Sequence, residues 1–243
     1  PLLRQFAEEK LLASLQEEEA TCQRHVDYYS RFLEQRVDTI QGLYQRQAAI
    51  EIAEEWDNVR AAWQRAASQG NVEAIGQAAS TFFYFCQLQS RFLEGAKALR
   101  AAATAVDQES PARECDLVLA RLFNHEGWLR IRVGEFDRAQ EVLERSRALY
   151  REHDAAPPPY MGADSSVPLA IVALIRGDPK RSIDLCEAAR GAAERRQDTQ
   201  NLAFANYGLA AARLSLGDYD AAYRHAEQAC MLARKAGNRW FLA

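Results

Sequence analysis

The sequence predicts an all-α chain folded as a solenoid of helical hairpins, and three observations carry that prediction. Alanine supplies 44 of the 243 residues, while Gly (12) and Pro (7) are few; strands are poor in alanine and helices tolerate it best. A turn pattern recurs: an apolar helix, then Gly, an acidic residue, an aromatic or Pro, and a small residue three beyond that. It reads Gly134-Glu135-Phe136-Asp137-Arg138-Ala139, Gly177-Asp178-Pro179-Lys180-Arg181-Ser182 and Gly217-Asp218-Tyr219-Asp220-Ala221-Ala222, with a degenerate copy at Ser90-Arg91-Phe92-Leu93-Glu94-Gly95. These turns start at residues 90, 134, 177 and 217, a period of 40–44 residues.

Each expected element has a local reason. Hydrophobic spacing and stop signals place helices over residues 2–18, 20–36, 39–55, 57–69, 71–88, 92–106, 111–133, 136–153, 164–176, 179–196, 199–216 and 219–236. The first presents Leu3, Phe6, Ala7 and Leu11 on one face. Asp57 reads as an N-cap before a stripe of Val59, Trp63 and Ala66/Ala67. Tyr28, Tyr29 and Trp56 read as core. The run Phe82-Phe83-Tyr84-Phe85 is too continuous for one face and predicts a helix buried on several sides.

In the repeat, Gly ends one helix because the residue past a helix end often takes a left-handed conformation. Asp178 and Asp218 then accept the free N–H groups of the next helix, and Pro179 sits where a helix has no N–H bond to lose. Phe136 and Tyr219 are expected to wedge the hairpin. Ala139, Ser182 and Ala222 are small enough for close helix approach, as are Gly127, Ala170 and Ala210, seven positions before each Gly. Pro157-Pro158-Pro159 marks the longest loop, about residues 154–163, and Pro168 belongs in or near a first turn. Gly237-Asn238 repeats the stop signal. Arg239-Trp240-Phe241 then opens another helix, so the array is expected to continue past residue 243.

Bulk properties exclude several function classes. The net charge of −4 argues against a basic nucleic-acid-binding face spread over the chain. The longest apolar run, Val167 to Ile175, is interrupted by Pro168 and is far short of the roughly 18–20 residues that cross a bilayer. Five scattered cysteines without a C-x-x-C fit reduced, cytoplasmic thiols. Only four of the 30 basic residues are Lys (Lys10, Lys97, Lys180, Lys235), and none follows a Gly, so a phosphate-cradling P-loop is absent. His25, His125, His153 and His225 never fall four apart, and no G-x-S-x-G occurs. Neither a catalytic nor a metal site is expected, and the chain reads as non-enzymatic.

The turn pattern resembles the tetratricopeptide repeat (TPR) with lengthened helices or inter-repeat loops, which implies a right-handed superhelix. Residues 1–70 carry a different set of motifs: Leu3-Arg4-Gln5-Phe6-Ala7, His25-Val26-Asp27-Tyr28-Tyr29, and Glu55-Trp56-Asp57-Asn58-Val59-Arg60. In this order they resemble the STAND-class signalling ATPases of NB-ARC type, among them bacterial transcriptional regulators. The resemblance implies that residues 1–18 close a winged-helix domain, 19–88 form a helical linker and 89–243 are TPR-like repeats. It implies a P-loop upstream of Pro1, with ATP or ADP bound there and no cofactor in this segment. It further implies sensing: the repeats bind a peptide, protein or small-molecule inducer and contact the nucleotide-binding module. A free-standing TPR scaffold without an ATPase is the alternative. The chain's start at Pro1 rather than Met fits an excised piece.

In TPR hairpins the first helix of each pair lines the groove. Counting from the turn Gly, the expected lining is Arg121, Asn124, Trp128 and Arg132, then Val167, Ile171 and Ile175, then Phe204, Tyr207 and Ala211, with His125 adjacent. Arg and Asn beside Trp suit a carboxylate or an amide backbone. Glu126 and Arg130, four apart, are placed to pair on one helix face.

Overall fold

The computed structural model describes residues 15–108, 112–158 and 163–237. Among them are twelve α-helices and no strand. They are α1 Leu15–Glu34, α2 Val37–Gln41, α3 Gln45–Glu54, α4 Trp56–Ser68, α5 Val72–Leu88, α6 Phe92–Val106, α7 Arg113–Arg132, α8 Phe136–Glu152, α9 Ser166–Ile175, α10 Pro179–Arg196, α11 Thr199–Ser215 and α12 Tyr219–Lys235. Residues 2–14 of the first expected helix (2–18) and Arg239-Trp240-Phe241 lie outside the described residues. The helix α1 runs unbroken through residue 19, where a break is expected, because Glu17–Ala20 contains neither Gly nor Pro. Conversely, Gly42 divides the expected 39–55 helix into α2 and α3.

The turn chemistry holds where Gly is present. Gly134, Gly177 and Gly217 have φ of +82°, +79° and +76°, and Gly237 has +68°. Asp178 and Asp218 accept from Arg181 N and Ala221 N. Glu135, by contrast, makes no capping bond and pairs with Arg130 instead. Three further turns use left-handed residues that are not Gly: Ser90 (+55°), Asp154 (+46°) and Gln197 (+55°). Each is followed by an N–H reaching back to the carbonyl five residues earlier, as in Arg91 N to Cys86 O at 2.8 Å and Asp198 N to Ala193 O at 2.9 Å. This closure satisfies the orphan carbonyls of the preceding helix. From Gly177 the left-handed residue recurs every 20 residues, at Gln197, Gly217 and Gly237.

The result is a helical-hairpin solenoid: α5/α6, α7/α8, α9/α10 and α11/α12. The first helices of successive hairpins pack side by side. One core runs from Val26 in α1 to Ala205 in α11, so α1 to α4 share it with the hairpins. The residue 88/89 border expected between linker and repeats falls in the Ser90 turn joining α5 to α6. Trp63 stacks on Phe82 at 4.3 Å, and its Nε1 donates to Ala98 O at 3.2 Å. All four residues of Phe82–Phe85 are buried. Close approach is achieved by small residues. A Cβ at Gly127 would run into Leu143 of α8, and one at Gly208 into Cys186 Sγ of α10. Ala139, Ser182 and Ala222 are buried, whereas Ala210 is only half-buried. Two aromatic side chains depart from expectation: Tyr28 (62% exposed) is not core, and Tyr219 (69% exposed) does not wedge its hairpin.

Candidate interaction surface

The helix α7 has 20 residues and touches α5, α6, α8 and α9. This crowding decides the fate of the expected groove residues. His125 is 1% exposed. Its ring lies flat on Phe83 (4.3 Å between centroids, 8°), with Nε2 3.4 Å from Ser80 Oγ. Burial, then the charge of Arg121, pushes its pKa down to about 3, so it is neutral. Asn124 is equally buried. Its Oδ1 lies 3.2 Å from Ser165 Oγ, the Ser165 and Ser146 hydroxyl oxygens lie 2.7 Å apart, and Ser146 Oγ donates to Ala120 O at 2.6 Å. This chain of bonds ties α7, α8 and the entry to α9 together.

Trp128 is buried edge-on against Phe204 of α11 at 5.8 Å, reaching past α9, which has only ten residues. Asn124, His125, Trp128 and Phe204 therefore stitch hairpins together rather than face a ligand. The remaining candidates do not converge. Arg132 is exposed, with its guanidinium carbon 4.9 Å from the Phe92 ring centre. Ile171 is half-buried against the core, and Tyr207 is exposed on α11.

Arg121 does line an open groove. Its Nη1 donates to Gly76 O of α5 at 2.8 Å, which fixes the guanidinium across the α5–α7 interface. The groove has a volume of about 580 Å³ and lies between α1, α5 and α7. Its polar wall is Glu34, Glu73, Gln77, Arg113, Glu114 and Arg121. Arg113, Leu117 and Arg121 are spaced four apart, so extending the Arg121 stripe toward the N-terminus would have found this wall. The α1 and α5 contributions depend on tertiary packing and leave no mark in local sequence. Mixed charges on a rim of rigid helices suit a polar partner that offers both donors and acceptors.

Two other sequence-marked clusters are structural. Tyr29 Oη donates to Glu55 Oε2 at 2.6 Å, and Asn58 Nδ2 donates to the same oxygen at 2.8 Å, so two of the N-terminal motifs meet. These bonds, Tyr29's first, hold Glu55 below the usual carboxylate range; burial, then Glu55, pushes Tyr29 up to about 12. Asp57 is not the N-cap. It lies in the first turn of α4 and pairs with Arg60 at 3.0 Å. Glu126 and Arg130 pair as expected, Oε1 to Nε at 3.2 Å, with Arg138 Nε 3.7 Å away. Glu126 is fully buried, and its Oε2 has no hydrogen-bond partner. Burial pushes its pKa up to about 7 against the pull of Arg130.

Among the described residues, no group of three or more His, Cys, Asp or Glu is gathered to hold a metal. No described helix is long and apolar enough to cross a membrane.

No family model matches the chain, and no curated protein does. Solved structures match its fold. A Podosopora anserina chain described as a kinesin light chain with nearly identical TPR-like repeats aligns at TM-score 0.55 and 15% identity, covering 85% of this chain and 97% of its own. A single-residue variant of that protein aligns at 0.57 and 14%, covering 86% and 97%. BtubC (BKLC) from P. vanneervenii aligns at 0.58 and 14%, covering 91% and 92%. At these identities the likeness establishes the fold: a TPR-like repeat array.

Proposed function

We propose that this chain is a non-enzymatic interaction array that binds a protein or peptide partner through the α1/α5/α7 groove. The observation that carries the reading is the fixed Arg121 guanidinium. It is held by Gly76 O at the lip of an open, mixed-charge groove, while the other polar groups of α7's central stripe are turned inward. Rigid presentation of charged groups lowers the entropic cost of binding. The test is affinity capture with the wild-type chain and with an Arg113→Glu/Arg121→Ala variant. A partner held equally by both would refute the groove.

We further propose that the bound partner regulates a STAND-type nucleotide-binding module. The order of the N-terminal motifs supports this, as does the Tyr29–Glu55–Asn58 contact that joins two of them. The nucleotide would belong to that module, since no Gly-Lys loop stands in this chain. ATP hydrolysis by the module joined to this chain should change when the captured partner is added. An unchanged rate would favour the alternative, a free-standing scaffold.

A further inference from the structure

A second pocket lies on a different part of the solenoid, between α8, α10 and the chain entering α9. It has a volume of about 410 Å³, within the range of small-ligand sites. Three arginines line it: Arg147 and Arg151, one turn apart on α8, and Arg195 from the end of α10. Most arginines elsewhere on the hairpins are engaged: Arg130, Arg138, Arg145, Arg176, Arg181 and Arg190 all pair with carboxylates. Among the described residues, the guanidinium groups of Arg147, Arg151 and Arg195 form neither a hydrogen bond nor an ion pair.

This arrangement is electrostatically costly as it stands. Like charges four apart on a helix repel, and Arg195 brings a third positive charge to the same space. Arg147 is half-buried. Burial, followed by the charge of Arg151, lowers its affinity for its proton, and Asp164 only partly compensates. Two carboxylates also border the pocket, but neither neutralises the arginines by contact. Asp164 Oδ1 accepts from Ser166 N at 2.9 Å and is committed to the start of α9. Asp154 stands in its left-handed turn at the pocket's edge. The guanidinium fork is matched to two oxygens of one anion. Three uncommitted forks around one polar cavity are a receptor for an oxyanion.

We propose that this pocket binds a phosphoryl or carboxylate group carried by a small molecule, with Arg147, Arg151 and Arg195 as its ligands. The site is separate from the α1/α5/α7 groove, and its test does not depend on that groove having a partner. The experiment is thermal unfolding and titration calorimetry of the 243-residue chain in inorganic phosphate, in succinate and in chloride, at matched ionic strength. Phosphate or succinate should raise Tm by a few degrees over chloride, as a ligand of the folded state does. Arg147→Gln and Arg195→Gln should each weaken binding by about tenfold or more. Arg224→Gln, on the exposed face of α12, should leave binding unchanged. A larger response to phosphate identifies a phosphoryl ligand, and one to succinate a carboxylate ligand. Equal Tm in all three salts would overturn the proposal. So would a stabilisation that survives in both pocket variants, given unchanged far-UV circular dichroism. Arg195 is exposed at the end of α10, so its variant keeps the test decisive even if Arg147→Gln folds poorly.

Discussion

Replacing Glu126 by Gln should abolish a pH-dependent loss of stability that the wild-type fold carries. Glu126 is wholly buried, with one oxygen facing Arg130 and Arg138 and the other without a partner. Its carboxyl titrates at about 7 in the folded chain against 4.5 for an unperturbed glutamate. Between those values the folded state holds a proton that the unfolded chain has released. Stability therefore falls as pH rises through this window, in the direction set by proton linkage. The separation corresponds to about 3 kcal/mol, present in full below pH 4.5 and gone above pH 7. A glutamine at this position has nearly the same shape and can still accept from Arg130, but it cannot ionise. Urea unfolding across this window, followed by circular dichroism, gives ΔG at each pH. The wild type minus E126Q difference should change by about 3 kcal/mol across the window, with the variant gaining relative stability at the alkaline end. Parallel ΔG profiles for the two chains would refute the burial argument.

Other perturbations follow from the same geometry. His125 is neutral in the fold with a pKa of about 3, so its contribution is intact above pH 6.5 and lost as pH falls below it; His125→Phe, which keeps the stack on Phe83, should flatten the acid limb of the stability curve. Gly127→Val should cost about 2–3 kcal/mol in urea unfolding, because any Cβ there meets Leu143 and must push α7 from α8. Gly217→Ala should cost only about 1 kcal/mol, since the space beside it is open and only the positive φ is strained; Gly217→Asn should cost less still.

The repeat was legible because its chemistry is local. Gly134, Gly177 and Gly217 are conformational requirements, and Asp178 and Asp218 fulfil the capping roles that their positions imply. The left-handed conformation at Ser90, Asp154 and Gln197 was hidden, because these residues tolerate it without advertising it. The fold class and nearly every helix boundary after residue 56 could thus be read from the chain. The interaction surface could not. Helical spacing puts Arg121, Asn124, His125 and Trp128 on one side of α7, but it cannot say what covers that side. Its middle is occupied by Phe83, Ser165 and Phe204, contributed by elements 40 or more residues away. Its N-terminal end is open, against Glu34 of α1 and Glu73 of α5. The Arg147 pocket was hidden in the same way, since its third arginine stands 48 residues from the first.

The groove is tested by the dissociation constant of a captured partner for the wild-type chain and for Arg113→Glu/Arg121→Ala, measured by titration calorimetry with matched circular dichroism. If the groove of α1, α5 and α7 is the interaction surface, the variant should bind about tenfold or more weakly at an unchanged helix content. Equal affinity in a fully folded variant would move the interaction to another face of the array.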